Sequence, residues 1–355
     1  MEGTFNFSPE VPDFSTSVDK SPLNQRGWTF QERLLPGRTA HITQHGVFWN
    51  CVELAAWEFD RQGRSTGPQL GRYSSTLHMY RRWKLEEEEE AAESFNRVSR
   101  AWIGLCKQYS TRQFSKPTDK LPALSGIAKL FHAKYYAGAE YLAGVWSSEL
   151  PEALAWHTVF STSQVSRVSE SGKNSGLPSW SWASVQTKIE TPLDEYFTPS
   201  GRGYSAEVVS VNVERATRDP FGHVRRGVLR LKGRFKFLKL RTRGFTSVLN
   251  EARVVFTTII DGKEYGENEN NAIHIDEPKH LNEMKGTQRT EFLLPAFILF
   301  ENKTWDQWFI LLLEQSRVIG ETNVYRRIGL YVTSQTRVAE PDLKQGWEET
   351  EIDLT

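Results

Sequence analysis

The run Arg26-Gly27-Trp28-Thr29-Phe30-Gln31-Glu32-Arg33-Leu34-Leu35 gathers the residue types that a polar pocket needs around an indole. At helical spacing Trp28 and Gln31 share a face, and Glu32 lies one turn beyond Trp28. A carboxyl held against an aromatic wall is desolvated, its pKa rises, and it can act as acid or base. The same residues also suit an interior helix whose arginine and glutamate are paired. Chemistry alone favours that second, architectural role.

Other clusters carry less. His41, His45 and Cys51 are close in sequence, but a tight turn separates them and no fourth metal ligand has convincing spacing. Glu86–Glu90 are like charges that repel on a helix and read as a solvated stretch. Gly201-Arg202-Gly203-Tyr204-Ser205-Ala206 has the letters of a dinucleotide fingerprint. It opens a strand rather than a helix, so it lacks the amide cradle that a pyrophosphate needs. Arg230, Lys232, Arg234 and Lys236 alternate with apolar residues and would line one face of a strand as a basic ridge. A polyanion surface would interleave that ridge with exposed aromatics, whereas here Phe235 and Phe237 are expected on the core face. There is no G-x-S-x-G elbow and no phosphate-binding P-loop. No cofactor or metal is expected.

Composition sets the frame for these clusters. The chain has 355 residues, with 44 basic and 44 acidic side chains and a net charge of zero. That balance argues against a strongly basic nucleic-acid binder. Twelve Trp, 11 Tyr and 20 Phe need a core to bury them. Two cysteines, Cys51 and Cys106, make no disulfide framework and no C-x-x-C pair. The N-terminus lacks a secretory pattern, and no apolar run reaches the roughly 20 residues of a membrane span. These features lead us to expect a cytoplasmic protein that neither spans a membrane nor binds nucleic acid.

The elements that position these residues follow from periodicity. Residues 1–20 are expected to be a disordered lead-in. A short helix follows, capped by Asn24 and stopped by Pro36-Gly37. Thr39–Thr43 and Val47–Cys51 flank a tight turn and predict a hairpin, and residues 60–75 are expected to be loop. Residues 76–158 are expected to be helical. One stripe is Phe95, Val98, Trp102, Leu105, Cys106 and Tyr109, and a second runs from Leu121 to Tyr135. Lys116–Asp119 would break the first helix and cap the second, with Pro122 in its first turn. A third helix is expected from Leu142 and a short fourth from about Ser148 to Trp156. Residues 159–204 are a Ser/Gly-rich connector in which Trp180 and Trp182 alternate with serines, as in a short strand. From 205 to 340 the period is two, which predicts an antiparallel sandwich or barrel of about six strands. Residues 341–355 are expected to be a frayed acidic tail. The fold class is therefore α+β: an N-terminal helical region with a small hairpin, then the β domain.

At these residues the sequence resembles a known family. Arg26-Gly27-Trp28-Thr-Phe-Gln31-Glu32-Arg33-Leu-Leu35 resembles the closing block of the fungal heterokaryon incompatibility (HET) domain. The stretch His41 to Cys51, containing Trp49, resembles the hairpin that follows that block. Phe114–Ala128, with Asp119, Leu121 and Pro122, resembles the family's helical region, and so does Tyr141-Leu-Ala-Gly144-Val-Trp146. Pro178-Ser-Trp180-Ser-Trp182-Ala-Ser184 matches a recurrent signature, and Tyr325–Leu330 fits the family's last strand. The blocks run in family order over roughly residues 21–333. The family's opening block, with its Leu-Ser-Tyr-x-Trp-Gly-like segment, has no counterpart here, so the resemblance implies a C-terminal portion lacking most of the HET domain.

The resemblance implies a role in fungal non-self recognition and regulated cell death. HET domains are thought to resemble TIR domains, some of which hydrolyse NAD; Glu32 would be the carboxylate of such a site. A nucleotide crevice needs an α/β sheet that the sequence does not supply. The expectation is therefore a non-catalytic binding or regulatory protein with protein partners, full-length HET-domain relatives among them. The alternatives are an NAD hydrolase using Glu32 and a polyanion binder using the basic ridge.

Overall fold

The computed structural model describes residues 14–51, 54–58, 60–65, 91–159, 176–191, 202–248, 251–260, 263–266, 272–276, 291–303, 307–319, 322–334 and 346–355. The protein has an α+β fold built as two compact units: Met1–Glu89 with Arg112–Phe114, and Glu90–Thr111 with Ser115–Thr355. Helical and β-rich regions are therefore not separate bodies, because the helices after residue 90 share a unit with the large sheet. The run Glu86–Glu90 and the fingerprint residue Gly201 lie outside the described residues.

In the first unit, helix α1 spans Gly27–Leu34. Asn24 is not its cap: it lies in a 3-10 turn, Leu23–Gln25, and Arg26 holds the cap position in extended backbone without a side-chain cap. The free first N–H of the helix is met differently. Gly27 N–H donates to the Gln113 carbonyl at 2.9 Å, and Gln113 N–H donates to that of Gln25 at 2.8 Å. Gly27 has no room for a side chain: a Cβ there would sit 1.9 Å from the Phe114 ring. Strands β1 (Arg38–Thr43), β2 (Gly46–Cys51), β3 (Leu54–Trp57) and β4 (Asp60–Ser65) form an antiparallel sheet in that order. The expected hairpin is present as β1 and β2. The expected loop from 60 begins instead as β4, whose polar sequence is held by pairing with β3. Ser15–Asp19 also departs from expectation, forming a single π-helical turn with Ser17 and Val18 buried.

In the second unit, α2 (Ala91–Ser110) buries Val98, Trp102, Leu105, Cys106 and Tyr109, the stripe read from the sequence apart from Phe95, whose side chain lies outside the described ones. Helix α3 (Ser125–Tyr135) buries Ile127, Ala128 and Phe131. Asp119 and Pro122 lie in two 3-10 turns before it, and Leu124 is at its cap position without a side-chain bond. The two further helices expected after Leu142 do not form. Tyr141–Leu142 (β5) and Val145–Trp146 (β6) make a tiny hairpin turned by Ala143 (φ 50°) and Gly144 (φ 101°). Glycine at the turn outweighs the apolar spacing. Ser147–Glu149 and Glu152–Leu154 are 3-10 turns, and His157–Val159 (β7) pairs with Lys188–Glu190 (β8).

The large sheet comprises β9 (Arg202–Ser205), β10 (Glu207–Arg215), β11 (Val224–Val248), β12 (Glu251–Ile260), β13 (Lys263–Gly266), β14 (Ala272–Ile275), β15 (Glu291–Asn302), β16 (Gln307–Ile319), β17 (Thr322–Ser334) and β18 (Glu348–Leu354). Its pairings close a ring, β11-β18-β17-β16-β15 and back to β11. The long β11 makes closure possible: residues 229–235 pair with β18 and residues 235–241 with β15. All pairings in the ring are antiparallel except the short β17–β18 contact. Leu238, Leu240, Ala296, Ile298, Ile310, Leu312, Ile328 and Tyr331 fill one core. The described part of the expected acidic tail is not frayed, because β18 completes the ring and buries Ile352 and Leu354, while residues 341–345 lie outside the described residues.

Candidate functional site

The Arg26–Leu35 block does not make an indole-walled acid. Trp28 is 38 % exposed, and Glu32 is also on the surface. Leu34 and Phe30 turn inward, and the Arg112 guanidinium stands 5.1 Å over the Phe30 ring. Arg33 is paired, as an architectural helix would have it, but with Asp19 at 2.9 Å rather than with Glu32. That partner was not visible in the sequence because it comes from the supposed lead-in.

Glu32 and Arg33 instead form part of the wall of a groove of about 730 Å³. The turns between Thr16 and Asn24 make another wall, and residues 39–44 a third. The groove is polar underneath. Asn24 Nδ2 donates to the Asp19 carbonyl at 3.1 Å, and Thr29 Oγ1 donates to the carbonyls of Leu23 and Arg26. Three buried atoms on lining residues, Ser17 Oγ, Asn24 Oδ1 and Thr39 Oγ1, have no hydrogen-bond partner among the described residues. An unmet buried acceptor or hydroxyl costs about 1–3 kcal/mol, but all three atoms are closed to solvent, so in this arrangement a molecule in the groove does not touch them.

The histidines do not converge on Cys51. His41 packs edge-on against Phe14 at 5.6 Å, His45 Nε2 lies 3.0 Å from Gln44, and Cys51 is half-buried at the far end of β2. Among the described residues no group of three His, Cys, Asp or Glu side chains could hold a metal ion. Trp49 is exposed on β2.

The basic ridge is present but matched by acid. Arg230 makes a bidentate bond to Asp353 at 2.7 and 2.9 Å, and Lys232 lies 3.6 Å from Glu349. Both carboxylates come from β18, the strand expected to fray. Arg234 is exposed and Lys236 half-buried. The aromatics also depart from expectation, since Phe237 is 51 % exposed. Leu229 and Leu231 face inward at odd positions, but Leu238 and Leu240 do so at even ones. The face reverses where β11 passes from β18 to β15, and Phe237 falls on the outer side.

Trp180 and Trp182 are not on a strand. Ser181 caps a 3-10 turn, Trp182–Ser184, and both indoles are buried. The Gly144 carbonyl accepts from Trp182 Nε1 at 2.8 Å and from Trp102 Nε1 at 3.3 Å. Ser181 Oγ donates to the Ala143 carbonyl at 2.5 Å. Trp156 Nε1 donates to the Trp180 carbonyl at 3.1 Å, and Ser179 N–H donates to the carbonyl of Thr355 at 3.0 Å. The segment thus joins α2, the β5–β6 hairpin and the end of the barrel. Its serines serve as caps and donors, and that role, not alternation, explains their spacing.

Several charged groups in this unit were not singled out from the sequence. Arg327 is fully buried, donates to both oxygens of Asp276 at 2.7 and 3.3 Å, and donates to the carbonyls of Leu154 and Trp156. Lys120 is 2 % exposed and donates to the Val185 carbonyl; burial lowers its pKa to about 7. Burial raises the Glu149 carboxyl, which accepts from Tyr136 Oη at 2.5 Å, and also raises the Cys106 thiol. Cys106 and Glu149 border a narrow cleft of about 40 Å³, space for only a few waters. No local signal marks the buried lysine and arginine, since Lys120 follows Asp119 and Arg327 follows Arg326. No family model, curated protein or solved structure matches the chain.

Proposed function

We propose that this chain is a HET-type protein of fungal non-self recognition that acts by binding a protein partner rather than by turnover. The supporting observation is the groove beside the Arg26–Leu35 block, walled by α1, the turns between Thr16 and Asn24, and strand β1. The family-like residues support the assignment through the architectural positions they hold. Gly27 seats α1 under Phe114, and Trp182 hangs on the Gly144 carbonyl. Glu32 is exposed on the groove wall rather than enclosed in a pocket. The matched charges on β11 and β18 give no support to polyanion binding.

Inducible expression in a panel of filamentous fungal isolates tests the reading. Growth arrest is expected in at least one isolate, and Ser17→Ala/Asn24→Leu should weaken it. No arrest in any isolate overturns the assignment. Nicotinamide release from NAD by the purified chain, lost in Glu32→Gln, would overturn the binding role in favour of catalysis.

A further inference from the structure

We infer that the groove takes an extended polypeptide segment, added as a strand to the side of β1 that pairs with no strand among the described residues. The inference rests on the groove being the binding site and names the chemistry of its occupant. Among the described residues, strand β1 is at the edge of its sheet. The register fixes which of its main-chain groups point outward. Val47 gives its carbonyl to Glu58 N–H, toward β3, at 3.0 Å. Residues of a strand alternate in the direction of their N–H and C=O groups. Gly46, Phe48 and Asn50 therefore face β1, and their partners Thr43, His41 and Thr39 face back toward β2. The main-chain groups of Ala40 and Ile42 are left pointing away from the sheet.

Such an edge is a template for another strand unless it is covered or charged. Ala40 and Ile42 carry no charge, and the Ile42 side chain is 88 % exposed. Residues 39–44 border the groove, and the turns that hold Ser17 and Asn24 form part of its lining. The six residues of β1 extend about 20 Å at about 3.3 Å per residue. A small solute would leave that edge unused, whereas an extended chain can pair along its length.

Selection from a random decapeptide display library against the full chain tests this. Enriched peptides are expected to lose at least tenfold in affinity when alternate residues are N-methylated, since that removes the donors facing β1. They should lose as much against Ile42→Pro, which deletes an outward N–H but no β1–β2 bond. Asn24→Leu is a second variant that leaves β1 untouched, and a weakened peptide is expected there too. Thermal melts identify any variant that fails to fold. Failure to enrich any peptide, or enriched peptides indifferent to N-methylation, overturns strand addition. Growth arrest in the fungal panel is a separate readout, so loss of strand addition with arrest intact leaves the broader reading standing.

Discussion

Single residues in this protein are decided by what surrounds them more than by their type. Glu32 and Glu149 are both glutamates on short elements, yet one is on a groove wall and the other is buried against Tyr136. Lys120 shows the consequence for stability. Its pKa falls from 10.5 in the unfolded chain to about 7 in the fold because burial disfavours the ammonium. Between those values the unfolded state binds more protons, so stability rises with pH, by up to about 1.4 kcal/mol per pH unit. Above pH 9 the Cys106 thiol, held protonated by burial, acts in the opposite sense. Urea unfolding should therefore show stability increasing from about pH 7 to pH 9, and Lys120→Met should flatten that rise. An unchanged slope in the variant would place the titration elsewhere. None of this was readable from sequence, since a lysine beside Leu121 looks like any surface lysine until Tyr109 and Val185 close over it.

Elements were legible where one periodicity dominated. The stripes on α2 and α3 and the β1–β2 hairpin follow directly from apolar spacing and a two-residue turn. They were illegible where a local backbone requirement overrode the spacing. Leu142, Val145 and Trp146 have helical intervals, but positive φ at Ala143 and Gly144 folds them into a hairpin. Trp180 and Trp182 alternate like a strand, but Ser181 bonds back to Ala143 and to its own turn. The start of α1 depends on Gln113 and Phe114, more than eighty residues away, which no local pattern could supply. Gly27→Ala should therefore destabilise the first unit by about 1–3 kcal/mol, as overpacking against a ring does. A fall in the urea midpoint of that unit is expected, with the barrel transition unchanged. An equal stability of the variant would show that Phe114 yields without cost.

At the scale of the whole molecule, the α+β class and a barrel-like β domain were within reach of the sequence, because alternation from residue 205 onward is persistent. Ring closure was not, since it depends on β11 changing partners midway and on an acidic C-terminus that reads as a tail. The groove was hidden for the same reason: its walls come from a lead-in, a helix and an edge strand that share no motif. On the proposed function, the protein acts by engaging another polypeptide at that groove. A photo-crosslinking amino acid placed at Ile42, with Val209 on the exposed face of β10 as control, reads this directly in fungal cells. The account predicts a discrete crosslinked protein from position 42, absent from position 209 and lost in Ser17→Ala/Asn24→Leu. Crosslinks of equal yield at both positions, or a position-42 product indifferent to the groove substitutions, would contradict it.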